Sequence, residues 1–129
     1  MVTLPALPPD FPGSLPEYLV FITLEELGKQ AGVDFTFQSQ FGGGRLQRGG
    51  LVIDFFFSNP PGLAINAQGE YFHYLQGTGT IARDVLTREQ LAQEGITLIF
   101  IDAEDAERDR HFYVREALQF RDHSKLSRS

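Results

Sequence analysis

The sequence predicts a single α/β domain with a mixed sheet and helices on both of its faces. Three observations predict it. Residues 51–57 and 63–68 are two strand-like apolar runs joined by a tight Ser58–Gly62 turn. Residues 96–101, Ile-Thr-Leu-Ile-Phe-Ile, form a near-continuous apolar run, the pattern of a strand buried on both faces. A helical pattern lies between the second and third of these runs, and a crossover helix between strands implies mixed pairing.

The elements follow in chain order. Residues 1–13 contain four prolines and read as an extended arm, free to pack along the domain, lie on a partner or stay disordered. Ser14 to Ala31 reads as a helix. Ser14 and Glu17 form a capping box, Pro16 is tolerated in the first turn, and Leu15, Tyr18, Leu19, Ile22 and Leu27 make an apolar stripe. Asp34 to Gln40 alternates as a half-buried strand. Phe41 to Gly50 holds five glycines and two arginines without the Gly-Lys-Ser/Thr of a P-loop, so it reads as a flexible hairpin connection.

Strict alternation along Leu51–Phe57 puts Val52, Asp54 and Phe56 on one face and Ile53, Phe55 and Phe57 on the other. In Leu63–Gln68, Asn66 and Gln68 share a face. Pairing of the two strands brings Asp54 near Asn66 and Gln68 at one end of the sheet. Ile81 to Glu94 reads as a helix ended by Gly95, and Asp105 to Gln119 as a last helix with Asp105 or Asp109 as cap. The boundaries are therefore an arm at 1–13, a domain at 14–120 and a polar tail at 121–129 that is expected to fray.

Composition bounds the chemistry. The 129 residues include twelve Phe and no Cys, which excludes disulfides and thiolate metal sites, and no zinc is expected. A metal here would take oxygen and imidazole ligands, which suits Mg²⁺ or Mn²⁺. No apolar run approaches a membrane span and no signal peptide is apparent, so the expected location is intracellular. The net charge of −6 is opposite to that of a protein held on nucleic acid by bulk charge. Nucleic-acid contact then depends on local arginines: Arg45, Arg48, Arg83 and Arg88. The alternative is that these are solvated surface residues.

Two groups invite a chemical reading. Asp54 interrupts a run of Val, Ile and Phe, where an unpaired carboxylate costs several kcal/mol unless a metal, a hydrogen-bond donor or solvent compensates. The bland alternative is an aspartate on the open face of a half-exposed strand. His73 follows a strand end among Tyr71, Phe72 and Tyr74, either as a proton carrier or as one member of a packed aromatic cluster. The same three aromatics suit base stacking or a core.

The run from Asp54 through Leu-Ala-Ile-Asn-Ala-Gln-Gly-Glu-Tyr-Phe-His, followed by Asp84, Arg88, Leu91 and Gly95-Ile-x-Leu-Ile-Phe, resembles the PD-(D/E)xK nuclease superfamily. It is closest in flavour to the very-short-patch-repair endonucleases. The likeness spans about Ser14 to Ile101. It implies a restriction-endonuclease-like αβββαβ core, here with an extra C-terminal helix, and an Mg²⁺-dependent (or Mn²⁺-dependent) activity on DNA. Residue by residue, Asp54 matches the metal-binding aspartate, Glu17 the acidic residue of the first helix, Ala67 the main-chain carbonyl offered to the metal, and His73 the catalytic histidine. Two positions depart. Asn66 stands where most members have Asp or Glu, and Gln68 where most have Lys. Asn offers an uncharged amide oxygen, and Gln is no substitute for an ammonium. Glu70 is a candidate substitute carboxylate.

Three readings follow from these residues. One is a DNA endonuclease. The second is a catalytically degenerate relative serving as a binding or structural module in a viral (phage) or cellular assembly, with protein contacts or self-association through the arm or a strand edge. The third is a small fold with no site.

Overall fold

The computed structural model describes residues 4–37, 46–48, 51–68 and 78–125. The first helix, α1 (Leu15–Glu26), starts where the sequence places it. Ser14 N–H and Oγ–H both donate to Glu17 Oε1 at 2.9 Å, and Glu17 N–H returns a bond to Ser14 Oγ at 3.4 Å. The helix stops at Glu26, five residues short of the expected Ala31, because the chain turns at Gly28, whose φ of +91° favours glycine.

Five strands precede the second helix among the described residues: β1 (Phe35–Phe37), β2 (Leu46–Arg48), β3 (Leu51–Ile53), β4 (Phe55–Phe57) and β5 (Leu63–Gln68). Then come α2 (Thr78–Gln93), β6 (Thr97–Asp102) and α3 (Ala103–Leu118). The main sheet has four strands in the order β1-β4-β5-β6. Its first two pairings are antiparallel, and β5 with β6 is parallel, as a crossover through α2 requires. The mixed α/β architecture expected from the sequence is therefore present.

Two apolar clusters sandwich this sheet. On one face, Phe35, Phe37, Phe55, Phe57, Leu63, Ile65, Ile99 and Ile101 pack with Leu19, Val20 and Leu24 of α1 and Ala106, Val114 and Ala117 of α3. On the other, Ala64, Leu98, Phe100 and Ile53 pack with Leu91 of α2. Strand β6 is thus buried on both faces, which is why its sequence shows no alternation. The turns at the opposite end meet closely. Gly62 has φ +79°, its carbonyl accepts Thr97 N–H at 2.7 Å, and a Cβ on it would come 2.8 Å from the Gly95 carbonyl oxygen.

Four expectations are corrected. The glycine-rich connection contains a strand, since β2 pairs antiparallel with β3 as a separate two-stranded ribbon. The run 51–57 is two strands, broken at Asp54. The N-cap position of helix α3 is Asp102, which makes no side-chain capping bond, rather than Asp105 or Asp109, and Asp109 lies inside the helix with non-helical angles (φ −158°, ψ 71°). Finally, residues 121–125 of the tail are docked. After α3, Phe120 takes a left-handed conformation (φ 63°) and Arg121 N–H bonds Glu116 O at 2.9 Å, turning the chain back on itself. Asp122 Oδ2 then accepts Phe100 N–H at 2.8 Å, on the outer edge of β6. Ser124 is buried, and Lys125 N–H donates to Asp102 Oδ2 at 2.9 Å. Polar composition concealed this docking because hydrogen bonds, not apolar area, hold the segment.

The described part of the arm, residues 4–13, also packs on the domain. The Phe11 ring stacks on Phe37 at 5.4 Å and meets Tyr18 and Phe21 edge-on. No helix among the described residues is long and apolar enough to cross a membrane.

Candidate functional site at the carboxyl end of the parallel strands

Asp54 is where the alternation fails. Ile53 joins the cluster beneath α2, while Phe55 and Phe57 join the one beneath α1 and α3. Neighbours two residues apart ought to share a face, so one residue is inserted at this point, in the manner of a β-bulge. There the chain passes from β3, paired with β2, to β4, which lies between β1 and β5 in the main sheet.

Side chains replace the interrupted ladder. Asp54 N–H donates to Asn66 Oδ1 at 2.8 Å, and Asp54 Oδ2 accepts Ala67 N–H at 3.0 Å. Both Asp54 and Asn66 are buried, at 7% and 6% exposure. An aspartate in an apolar run thereby gains a charge-assisted bond from the backbone. The Ala67 N–H points toward Asp54, and strand geometry turns the carbonyl of the same residue to that side. Three expected residues, Asp54, Asn66 and Ala67, are thus brought together. Gln68 closes β5, with its backbone in register with Asp102 of β6.

Glu17 approaches the same end from α1. A Cβ on Gly13 would lie 3.1 Å from the Phe37 ring and 3.2 Å from Glu17 Oε1, so the helix cap sits over Phe37. Phe37 is the register partner of Phe55, the residue after Asp54. Glu17 is buried, and its Oε2 has no hydrogen-bond partner among the described residues. A buried, half-satisfied carboxylate oxygen is a feature that calls for an explanation.

Arg88 of α2 lies with its guanidinium 5.8 Å above the Phe100 ring and 3.7 Å from Asp122. It belongs to the α2 side of the sheet, near the docked tail rather than beside Asp54. Arg48 lies in β2 and Arg83 in α2. Arg45, Glu70 and His73 fall outside the described residues.

One residue that sequence reading passed over belongs to this end. Asp102 is buried at 2% exposure, two places after Phe100 on β6, and it accepts Lys125 N–H. The signal was present as an acid directly after the apolar Ile96–Ile101 run.

Comparison of the chain with protein-family models, curated proteins and solved structures returned no match.

The site's chemistry must be judged from its donors. A carboxylate, an amide oxygen and a main-chain carbonyl are all hard oxygen ligands, and in kind they fit Mg²⁺ or Mn²⁺. In number they are few. Among the described residues no three His, Cys, Asp or Glu side chains converge as they would around a metal ion.

Proposed function

We propose that this chain is a divalent-metal-dependent DNA endonuclease of the PD-(D/E)xK type on a restriction-endonuclease-like αβββαβ core. The observation behind this reading is the meeting of Asp54, Asn66 and Ala67 at the break between β3 and β4. These are the positions that the sequence resemblance marks for metal binding. They stand at the carboxyl end of β5 and β6, where open α/β sheets commonly hold their ligands.

In this mechanism Asp54, the Ala67 carbonyl and the Asn66 amide oxygen would hold Mg²⁺ or Mn²⁺, with Glu70 as substitute carboxylate. The ion supplies Lewis-acid polarisation of a phosphodiester and activation of water. Asp54 is oriented by the Ala67 N–H, so little reorganisation is needed to present its carboxylate. His73 moves the proton, Glu17 supports from α1, and Gln68 offers a neutral amide where the usual member has Lys. Arg45, Arg48 and Arg83 bear on phosphates, whereas Arg88 is held against Asp122 and the Phe100 ring.

The test is incubation of plasmid DNA with Mg²⁺ or Mn²⁺, wild type beside Asp54→Ala. Cleavage that the variant loses supports the reading. Absence of cleavage, together with a melting temperature indifferent to Mg²⁺, sinks it.

One observation favours a second reading, a catalytically degenerate relative used as a binding or structural module in a phage or cellular assembly. Asn66 Oδ1 already accepts Asp54 N–H, so the amide that replaces an acid serves the fold. An inactive chain that co-purifies with a defined partner, or self-associates in sedimentation experiments, would favour this alternative.

A further inference from the structure

Strand β6 is an edge strand of the main sheet, yet Leu98, Ile99, Phe100 and Ile101 are all buried. Thr97 N–H donates to Gly62 O on the β5 side, and Phe100 N–H donates to Asp122 Oδ2 on the other. Alternation of the backbone therefore turns Leu98, Phe100 and Asp102 outward, toward the tail. The tail runs alongside in the same direction. Asp122 sits opposite Phe100, Lys125 N–H reaches Asp102 Oδ2 at 2.9 Å, and Ser124 between them is buried at 1% exposure. Asp122 Oδ1 accepts both Ser124 N–H (2.8 Å) and Ser124 Oγ–H (2.6 Å), and Arg88 stands 3.7 Å from Oδ2. The segment thus covers an edge whose backbone groups would otherwise be open to pairing with another chain.

The connection that delivers the tail is short and strained. Helix α3 ends at Leu118, and only Gln119, Phe120 and Arg121 separate it from Asp122. Phe120 turns the chain back with φ 63°, a left-handed conformation disfavoured about fivefold or more for a residue with a Cβ. Its side chain is exposed, so no deep burial offsets that strain. Phe120 N–H to Ala117 O and Arg121 N–H to Glu116 O, both 2.9 Å, keep the turn closed. Beyond the turn, a second copy could offer every contact equally. Arg121 and His123 bond Glu116 at 2.8 and 2.9 Å, the His123 ring lies against Phe112 and Tyr113, and Asp122 and Lys125 bond β6. Only the hinge at Phe120 ties the tail to its own chain.

We propose that the C-terminal tail is an exchangeable arm, and that the β6 edge receives the tail of a second copy of this chain. With Phe120 out of the left-handed region, each tail leaves its own β6 and docks on the other's, giving a reciprocal two-fold dimer. The edge contacts are the same in both forms, so closed chain and dimer differ in hinge strain and in the entropy of association. A short hinge under strain is the circumstance in which such exchange costs least. A second copy suits this edge better than an unrelated partner because its segment is already seen to fit there, down to the buried Ser124. The proposal is independent of the chemistry at Asp54 and holds for a cleaving or a non-cleaving chain.

Two hinge substitutions remove the same ring and push in opposite directions. Phe120→Gly accepts the left-handed turn without strain and favours the closed chain. Phe120→Pro fixes φ at about −65° and cannot close it. Sedimentation velocity of the full chain across a concentration series reads the dimer, and hydrogen exchange reads Phe100 N–H. The dimer association constant should fall about 25-fold from wild type in Phe120→Gly, about fivefold for each of two hinges. Phe120→Pro should be dimeric at concentrations where wild type is monomeric, with Phe100 N–H still slow to exchange because a tail covers it. Phe120→Val keeps the hinge N–H but tolerates the left-handed region poorly. It should dimerise more tightly than wild type, and it decides the question if the proline chain does not fold. Folded proline or valine chains as monomeric as wild type overturn the proposal. So does a glycine chain that dimerises as tightly as the valine chain. Dimers whose Phe100 N–H exchanges freely overturn it too, since their interface lies elsewhere.

Discussion

Replacing Asn66 with alanine should destabilise the protein by about 2 kcal/mol, because a buried donor loses its acceptor. The donor is Asp54 N–H, 2.8 Å from Asn66 Oδ1. Both residues are less than a tenth exposed, so water has little access to replace the bond. A stranded buried N–H costs about 1–3 kcal/mol, and the cavity left by the amide adds to it. For a domain of this size the loss corresponds to a fall in melting temperature of about 6–10 °C. Urea denaturation gives the same quantity from the shift in midpoint at constant slope. Val33→Ala, at a position 65% exposed, serves as the control and should stay within about 0.5 kcal/mol of wild type. If Asn66→Ala also stayed within that margin, Asn66 would not be replacing the broken ladder, and the account of the Asp54 break would be wrong.

Three further outcomes are expected. Asn66→Asp places a second carboxylate beside Asp54, so the Mg²⁺-dependent rise in melting temperature should be larger than in wild type; an equal rise would show that position 66 does not face a metal. Gly62→Ala should cost about 1–2 kcal/mol for its left-handed backbone alone, and more for the 2.8 Å approach to the Gly95 carbonyl, as read by chemical denaturation. Hydrogen bonds from Arg110 and then His111 hold the Glu26 carboxyl below its ordinary value of 4.5. A depressed carboxylate stabilises the fold above its unfolded pKa and loses that contribution as pH falls through the folded value. Glu26→Gln should therefore lower the melting temperature at neutral pH, by the equivalent of less than about 1 kcal/mol for so exposed a pair, with the gap closing as pH falls from the ordinary value of 4.5 through the depressed one. A gap independent of pH would assign the effect to packing.

Much of the architecture was legible because local chemistry and tertiary structure agree. The capping box of α1, the α2 pattern before Gly95 and the apolar run of β6 each mark a real element within a few residues. The run 51–57 was harder. Its apolar residues give alternation no contrast on either side of Asp54, so a change of face there leaves no trace in hydropathy. The β2–β3 ribbon was hidden by flanking glycines that also suit a loop. In the site, Asp54 and Asn66 drew attention as polar residues in apolar company. That each bonds the other strand's backbone, rather than the other's side chain, depends on register that only the folded chain supplies.

The break at Asp54 also divides responsibility along the chain. Residues up to Ile53 follow the ribbon, and residues from Phe55 onward follow the sheet, with one residue uncoupling the two registers. Ile53 belongs to both: its backbone pairs with Leu46 in the ribbon while its buried side chain fills the cluster beneath α2, so the ribbon is fastened to the frame at this one position.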